Sequence, residues 1–183
     1  MELHELTDFQ VVERIQLGEA YAFDELMRRY KRPVVNFIYR MIGDASDADD
    51  VAQEVFVRVY QHIGEYKPRT KFTTWLFALA RNAALDRLRW RKRHPTESLD
   101  SIAETATASR GVDQPQINEI GEHVAGAVAQ LPEDQRMAIV LAEYHGMSYA
   151  EIAGIMHCSE KSVESRLYRA KQTLRERLRF LLE

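Results

Sequence analysis

The chain has 183 residues, a formal net charge of −3, 45% hydrophobic and 29% charged residues, a balance that excludes an intrinsically disordered protein. No run approaches the ~18 apolar residues that cross a bilayer and the N-terminus lacks a signal-peptide pattern, so we expect a cytoplasmic protein without membrane insertion. The single cysteine excludes an intrachain disulfide, and the six histidines show no zinc-ligand spacing, so neither a metal nor a cofactor is predicted.

Basic residues are concentrated in two segments of an otherwise acidic chain. Residues 66–95 contain nine lysines and arginines against one acid, and residues 160–179 contain seven against three. Charge runs of this kind are typical both of solvated helix faces and of nucleic-acid-binding surfaces. The spacing of the residues within each segment has to distinguish the two.

Helical periodicity extends over residues 7–93 and 116–182, and no strand-like alternation is sustained. Residues 94–115 are rich in Ser, Thr, Ala and Asp and are bounded by prolines, which is typical of a linker, and fully extended they could span about 75 Å. The sequence therefore predicts an all-α fold with two small helical domains, at residues 5–94 and 116–183, joined by a flexible linker at residues 95–115.

The first two helices are predicted to be scaffold. Thr7 is a candidate cap for a short helix that ends at Gly18, and a longer helix follows from Tyr21 to Ile42. Pro33 lies inside this second helix and is expected to bend or break it, because proline has no backbone N–H to donate.

The third helix, predicted to begin near Ser46 or Asp47, carries an acidic and amide patch. Asp50, Gln53 and Glu54 fall at i, i+3 and i+4 and therefore share one face. Acids in a first helical turn are stabilised by the helix dipole, which explains Asp50 but not the other two. The residue types leave open whether this patch binds a protein or is a solvated face.

The fourth helix, Lys71–Arg93, combines cations, aromatics and a polar stripe. Side chains able to bond base edges and phosphates recur at i, i+4, i+7 and i+11: Asn82, Asp86, Arg89 and Arg93. Cations and aromatics alternate at the start of the helix: Lys67, Arg69, Lys71, Phe72 and Trp75. That mixture is typical of single-stranded nucleic-acid sites, while burial of the aromatics in the core is the alternative.

The second domain contains a predicted helix-turn-helix. Ser148 and Glu151 form a capping box that starts one helix, and Ser159 follows a short turn as the cap of the next. The outward face of that second helix is polar and largely basic: Lys161, Ser162, Ser165, Arg166 and Arg169. A helical hairpin in an unrelated bundle would share the apolar pattern, so the basic outward face is what favours DNA binding.

With these motifs in place, the chain resembles the extracytoplasmic-function (ECF) sigma factors of the sigma-70 superfamily over nearly its whole length. DADDVAQEVFVRVYQHI is similar to the family's core-polymerase-binding helix, and KFTTWLFALARNAALDRLR to its minus-ten region. LPEDQRMAIVLAEYHGMSYAEIA, followed by SRLYRAKQTLRERL, is similar to its minus-thirty-five domain. The resemblance implies a non-enzymatic initiation factor, with a role in a stress or envelope response.

The resemblance also implies partners and roles for individual residues. Core RNA polymerase would be bound at the clamp helices of its largest subunit and at its flap, the former through Asp50, Gln53 and Glu54. An unpaired minus-ten base would be captured by Lys71, Phe72 and Trp75, with Asn82 and Asp86 facing the upstream duplex. The major groove of the minus-thirty-five element would be contacted by Ser162, Ser165, Arg166, Tyr168 and Arg169. An anti-sigma factor is implied as a further partner.

Two departures from the family pattern affect the minus-thirty-five site. Where the family usually has glycine and then Cys-Pro in the inter-helix turn, this chain has His157, Cys158 and Ser159. Histidine tolerates the left-handed conformation better than most residues, so the turn is feasible. Glu164 lies where a basic residue is common; its carboxylate repels phosphate but can accept from a cytosine amino group.

The sequence thus predicts a sigma factor, and two other functions are the alternatives. The first is an autonomous helix-turn-helix regulator, for which the acidic patch would be a subunit interface and which would bind duplex DNA without polymerase. The second is an enzyme acting on nucleic acid, for which the helices offer no acid–base or metal constellation. Cys158 is predicted to be a turn residue and not a redox sensor, because the sequence places no basic neighbour beside it.

Overall fold

A computed structural model describes residues 3–95 and 119–181, and all regular structure in those ranges is helical. Eight α-helices lie in the described ranges: α1 (Asp8–Gln16), α2 (Ala20–Ile42), α3 (Ala45–His62), α4 (Phe72–Arg93), α5 (Glu119–Ala129), α6 (Glu133–Ile139), α7 (Tyr149–Met156) and α8 (Glu160–Arg177). The all-α prediction is confirmed. The predicted linker falls almost entirely within residues 96–118, outside the described residues.

Side-chain caps start several of the helices at the predicted places. Thr7 forms a capping box with Gln10 ahead of α1, and Asp44 starts α3 by accepting from the Asp47 amide at 2.9 Å. The start of α3 therefore lies one residue before the predicted Ser46, because aspartate at the cap satisfies a free amide of the first turn.

The second helix is continuous across its proline. α2 runs unbroken through Pro33, so of the two expected effects the break is wrong, and the bend stays a prediction. The helix packs against α1, α3 and α4 and buries Phe37, Ile38 and Met41 completely. Burial on this scale outweighs the roughly 3 kcal/mol that an interior proline costs a helix.

The second helical unit contains the predicted helix-turn-helix. Ser148 and Glu151 form the capping box ahead of α7, and Ser159 caps α8 by accepting from the Ser162 amide at 3.2 Å. Between these two helices His157 adopts the left-handed conformation, with φ of 52°, which confirms that histidine can replace the expected glycine. A π-helical segment, Val140–Tyr144, leads from α6 toward α7.

The two helical units pack directly against each other, mainly through α4 and α7. Gly154 of α7 lies against Thr74 of α4: a Cβ atom added at Gly154 would lie 3.3 Å from the Thr74 Cγ2 atom. Buried residues of both units form one continuous apolar core. Within the described ranges, no helix is both long enough and apolar enough to span a bilayer.

Candidate protein and nucleic-acid interfaces

The acidic and amide patch of α3 is exposed, as the sequence predicts. Asp50, Gln53 and Glu54 all point away from the core, and they line one shallow depression. Arginines limit its negative charge, because Arg58 Nη2 lies 4.0 Å from Glu54 Oε2 and Arg87 lines the opposite side. The depression presents alternating acceptors and donors, which suits a protein surface carrying both charge signs.

Apolar residues that the sequence reading missed extend this patch along α3. Val57 is 55% exposed and Tyr60 is 63% exposed, and the Tyr60 ring rests edge-on against Phe23 with centroids 5.2 Å apart. Helical spacing could have identified Val57, which lies seven residues after Asp50 on the same face. Exposed apolar residues beside a charged patch are typical of a protein-binding surface.

A second groove lies between α2 and α3 and shares Gln53 with the patch. Its rim on α2 is basic, formed by Arg28, Lys31 and Arg32, and its floor is apolar, including Val35 and Phe56. The groove was not predicted, because its two sides come from residues far apart in sequence. Together the groove and the patch make α2 and α3 one extended surface of mixed charge.

The two aromatics at the start of α4 have different environments. Phe72 is 4% exposed and packs edge-on against Tyr66, with ring centroids 5.9 Å apart. Trp75 is only partly buried and, together with Tyr66 and Lys67, lines a surface depression. In this conformation a nucleic-acid base can reach Trp75, whereas Phe72 belongs to the core.

The cations that precede α4 are accessible. Lys67 and Arg69 are exposed in the loop before the helix. Lys71 is also largely exposed, but its Nζ atom lies 2.8 Å from Glu151 Oε1 of α7. The loop is held by the Tyr66 hydroxyl, which donates to the Thr70 carbonyl at 2.7 Å. Two of the three predicted cations are therefore presented freely, and the third is engaged by the other helical unit.

The polar stripe of α4 lies on the surface. Asn82, Asp86, Arg89 and Arg93 are all exposed, and Arg89 Nη1 donates to Asp86 Oδ1 at 2.9 Å. The Asn82 carbonyl oxygen accepts from Arg81 at 3.0 Å. Because these bonds lie at the surface, water or nucleic acid can replace either partner at little cost.

Two arginines of the same basic segment face inward and stabilise the first unit. Arg91 Nη2 lies 2.6 Å from Asp47 and 3.4 Å from Asp44, while its Nη1 donates to the Ile42 carbonyl at 3.1 Å. Arg87 lies 3.7 Å from Asp47. These contacts tie the end of α4 to the start of α3, so part of the basic excess of residues 66–95 is used inside the molecule.

The outward face of α8 carries most of its predicted residues. Those lying exposed are Lys161, Glu164, Ser165, Tyr168 and Arg169. They line a groove together with three residues that the sequence reading missed, Tyr149, Lys171 and Gln172. Spacings of three and four residues from Tyr168 indicate Lys171 and Gln172, whereas Tyr149 belongs to α7 and has no such signal.

Arg166 differs from its neighbours on α8. Its guanidinium donates to Ser162 Oγ and to Cys158 Sγ, both at 2.9 Å, and to Asp134 at 3.1 Å. Ser162 is itself partly buried. The premise that Cys158 has no basic neighbour is therefore wrong, because the helical turn brings Arg166 onto it. Arg166 joins α6, the turn and α8.

Family models identify the chain. The model for Sigma-70 region 2 matches residues 26–94, and the model for Sigma-70, region 4 matches residues 123–174. The chain belongs to the sigma-70 family, in its ECF branch. Sigma factors direct core RNA polymerase to promoters and are initiation factors, not enzymes. This identity decides against both an autonomous regulator and an enzyme acting on nucleic acid.

Individual relatives are similar in sequence to this chain along nearly its full length. The chain is 38% identical to the RNA polymerase sigma-H factor of Pseudomonas aeruginosa, over 96% of this chain and 95% of the relative. It is 35% identical to the ECF RNA polymerase sigma-E factor of Escherichia coli K12, over 97% of each.

Two solved structures also resemble most of the chain. CnrH in complex with the cytosolic domain of CnrY matches with a TM-score of 0.72 and 26% identity, over 93% of this chain and 96% of that one. The sigma factor RpoE of Bartonella quintana, in complex with the anti-sigma factor NepR, matches with a TM-score of 0.70 and 25% identity, over 86% and 96%.

Proposed function

We propose that this ECF sigma factor binds polymerase and the two promoter elements through three separate surfaces. The α3 patch, Asp50, Gln53 and Glu54, binds the clamp helices of core polymerase; α4 and the loop before it bind the minus-ten element; and α8 binds the minus-thirty-five element. The observation that carries the proposal is the separation of chemistry on the surface. A surface of mixed charge with exposed apolar residues is suited to protein, and two largely basic polar surfaces are suited to DNA.

At the minus-ten element, Trp75 is the better candidate for stacking on an unpaired base. Its ring borders a surface depression beside Lys67, which places a stacking surface next to a cation for the phosphate. Phe72, buried behind it, would support the position of Trp75 through ring contact at 5.8 Å between centroids. Asn82 and Asp86 would then face the duplex immediately upstream.

At the minus-thirty-five element, exposed Ser165, Tyr168 and Arg169 would contact bases and phosphates in the major groove. Glu164 would select for a cytosine amino group, so the preferred sequence differs from that of relatives with a basic residue here. Arg166 would act as a positioning residue, because its three bonds within the domain fix the angle between α6 and α8.

The domain boundaries and remaining partners follow the same division. Residues 5–94 would form the polymerase and minus-ten domain, and residues 116–183 the minus-thirty-five domain, which also meets the polymerase flap. The similar RpoE was solved with an anti-sigma factor, and we propose an anti-sigma factor for this chain too. A cytoplasmic location follows from action on chromosomal DNA.

The α3 assignment is tested by charge reversal. Asp50→Lys combined with Glu54→Lys should abolish binding to core polymerase, because both exposed acids would then repel the cations that they attract. Glu13→Lys combined with Glu122→Lys is the matched control, since both acids are exposed elsewhere and the charge change is equal. Binding is measured by fluorescence anisotropy with purified core enzyme, and helicity by circular dichroism. Equal core affinity for the two double variants would refute the assignment.

A further inference from the structure

His145 lies in the contact between the two helical units, in addition to the packing of α7 against α4. Its ring lies edge-on to two aromatic rings of the first unit, 4.8 Å from Phe77 and 6.0 Å from Phe37 between centroids. The Nε2 atom is buried and has no hydrogen-bond partner among the described residues. An aromatic side chain of one unit therefore fills an apolar gap between α2 and α4 of the other.

Polar contacts lie on both sides of the His145 ring. On one side the Arg40 guanidinium lies 3.6 Å above the Tyr144 ring, a cation–π contact between α2 and the π-helical segment. On the other side Lys71 bonds to Glu151 at 2.8 Å. The contact thus has an apolar centre and a charged rim, the arrangement typical of a specific interface.

This arrangement does not allow α4 and α8 to reach both elements of one promoter. α7 packs on α4 and on α8, and packed helix axes lie 8–10 Å apart, so α8 lies within about 20 Å of α4. Promoter elements separated by two turns of B-DNA are roughly 68 Å apart. Residues 94–115 are long enough for that separation, with an extended reach of about 75 Å.

We propose that the contact centred on His145 is an autoinhibitory latch, which holds the two DNA-binding helices too close together for promoter binding and must open first. The proposal rests on the DNA-binding surfaces assigned above. While closed, the latch also engages Lys71, one of the cations assigned to the minus-ten element. Opening releases Lys71 and lets the two units separate along DNA.

The chemistry of His145 makes the latch sensitive to acid. Burial, with a smaller effect of the Arg40 charge, lowers the pKa of His145 from 6.5 to about 4. Arg32 and Arg40 line its surroundings from α2, and Tyr144 from its own segment, so no acid in that lining stabilises the imidazolium. Because the pKa of His145 is lowered only in the closed form, neutral His145 favours that form above pH 6.5. This contribution to the stability of the closed form is lost as pH falls toward 4.

The size and pH window of the effect follow from these values. Between pH 8 and pH 5.5 the ratio of closed to open molecules should fall about tenfold through His145 alone. Glu151 does not contribute in that window. Its bonds to Lys71 and Ser148 lower its pKa to about 2, from 4.5, so it is ionised whether the latch is closed or open.

Small-angle X-ray scattering of the full chain at pH 8 and pH 5.5 tests the latch without polymerase or DNA. We expect the parent to expand at pH 5.5. His145→Lys should be expanded already at pH 8, because a permanent charge cannot occupy the apolar gap. His145→Phe should stay closed at both pH values. Equal radii for the parent at the two pH values, or the same pH response in His145→Phe, would overturn the proposal, and circular dichroism checks that each variant is folded.

Inhibition is measured separately, as the rate of promoter-complex formation with excess core enzyme. Glu151→Gln is the milder opening variant: glutamine preserves the capping box but loses the ion pair with Lys71. Both His145→Lys and Glu151→Gln should accelerate complex formation, the former more. Expansion without any acceleration would refute autoinhibition, whereas failure of the α3 assignment would appear only in the core-binding assay.

Discussion

The two basic helices, α4 and α8, are similar in sequence pattern and different in use. α4 buries eight of its 22 residues and α8 three of its 18. Because α4 is packed over more of its circumference, Arg87 and Arg91 are drawn into ion pairs with the start of α3, and Phe72 is taken into the core. On α8, Arg166 pairs with Asp134, Lys171 pairs with Glu143 and Arg177 donates to Gln130, but of these three only Arg166 is partly buried. On a basic helix, the cations available to DNA are therefore those that are not engaged in contacts within the protein.

The largest expected effect is at Phe72, where the two helices differ most. Phe72→Ala should lower the free energy of unfolding by about 3–5 kcal/mol, because it removes a buried aromatic ring and leaves a cavity. Tyr168 on α8 is an exposed aromatic, so Tyr168→Ala should leave the free energy of unfolding unchanged and reduce promoter binding. Urea denaturation measures both. If Phe72→Ala were as stable as the parent but failed to melt promoters, Phe72 would be a DNA ligand after all.

A smaller effect is expected within α4, between its inward and outward arginines. Arg91→Ala should cost about 2 kcal/mol of unfolding free energy, because it removes the ion pair of the buried Asp44 and leaves Asp47 with only its longer contact to Arg87. Arg89→Ala, at an exposed pair with Asp86, should leave the denaturation midpoint in place and weaken DNA binding. The distinction fails if the two variants shift the denaturation midpoint equally.

The smallest effect concerns the turn that sets the direction of α8. His157 has a positive φ, which glycine adopts without strain, so His157→Gly should raise the unfolding free energy by up to about 1 kcal/mol. His157→Val should lower it by a similar amount, because a β-branched side chain is disfavoured there. Thermal denaturation resolves the two directions. An unstable glycine variant would mean that the histidine side chain, not the backbone, holds the turn.

Local signals in the sequence predicted what depends on neighbouring residues. The caps at Thr7, Ser148 and Ser159 and the turn at His157 follow from residue types one to four positions apart. What depends on tertiary contact was not predictable in the same way. The unbroken path of α2 through Pro33 requires three packed neighbours, which periodicity does not reveal.

The same limit applies to the candidate sites. Exposure of the α3 patch and the α4 stripe could be predicted because helical spacing separates them from the apolar face. The inward direction of Arg91 could not, since its partners Asp44 and Asp47 lie more than forty positions away. Cys158 and Arg166 are only eight positions apart in sequence. Cys158 lies in the turn before α8, however, and the geometry of that turn determines whether the two side chains meet.

Gly154 has a consequence for engineered chimeras, in which the second domain of one family member is joined to the first domain of another. A Cβ atom at this position would come within 3.3 Å of Thr74, closer than ordinary van der Waals contact. A transplanted second domain with alanine or a larger residue there could fold and read its own DNA element, yet could not rest against this first domain without displacing Thr74. Such hybrids would differ from their parents in the resting conformation of the free factor, even where every residue that contacts DNA had been transferred unchanged.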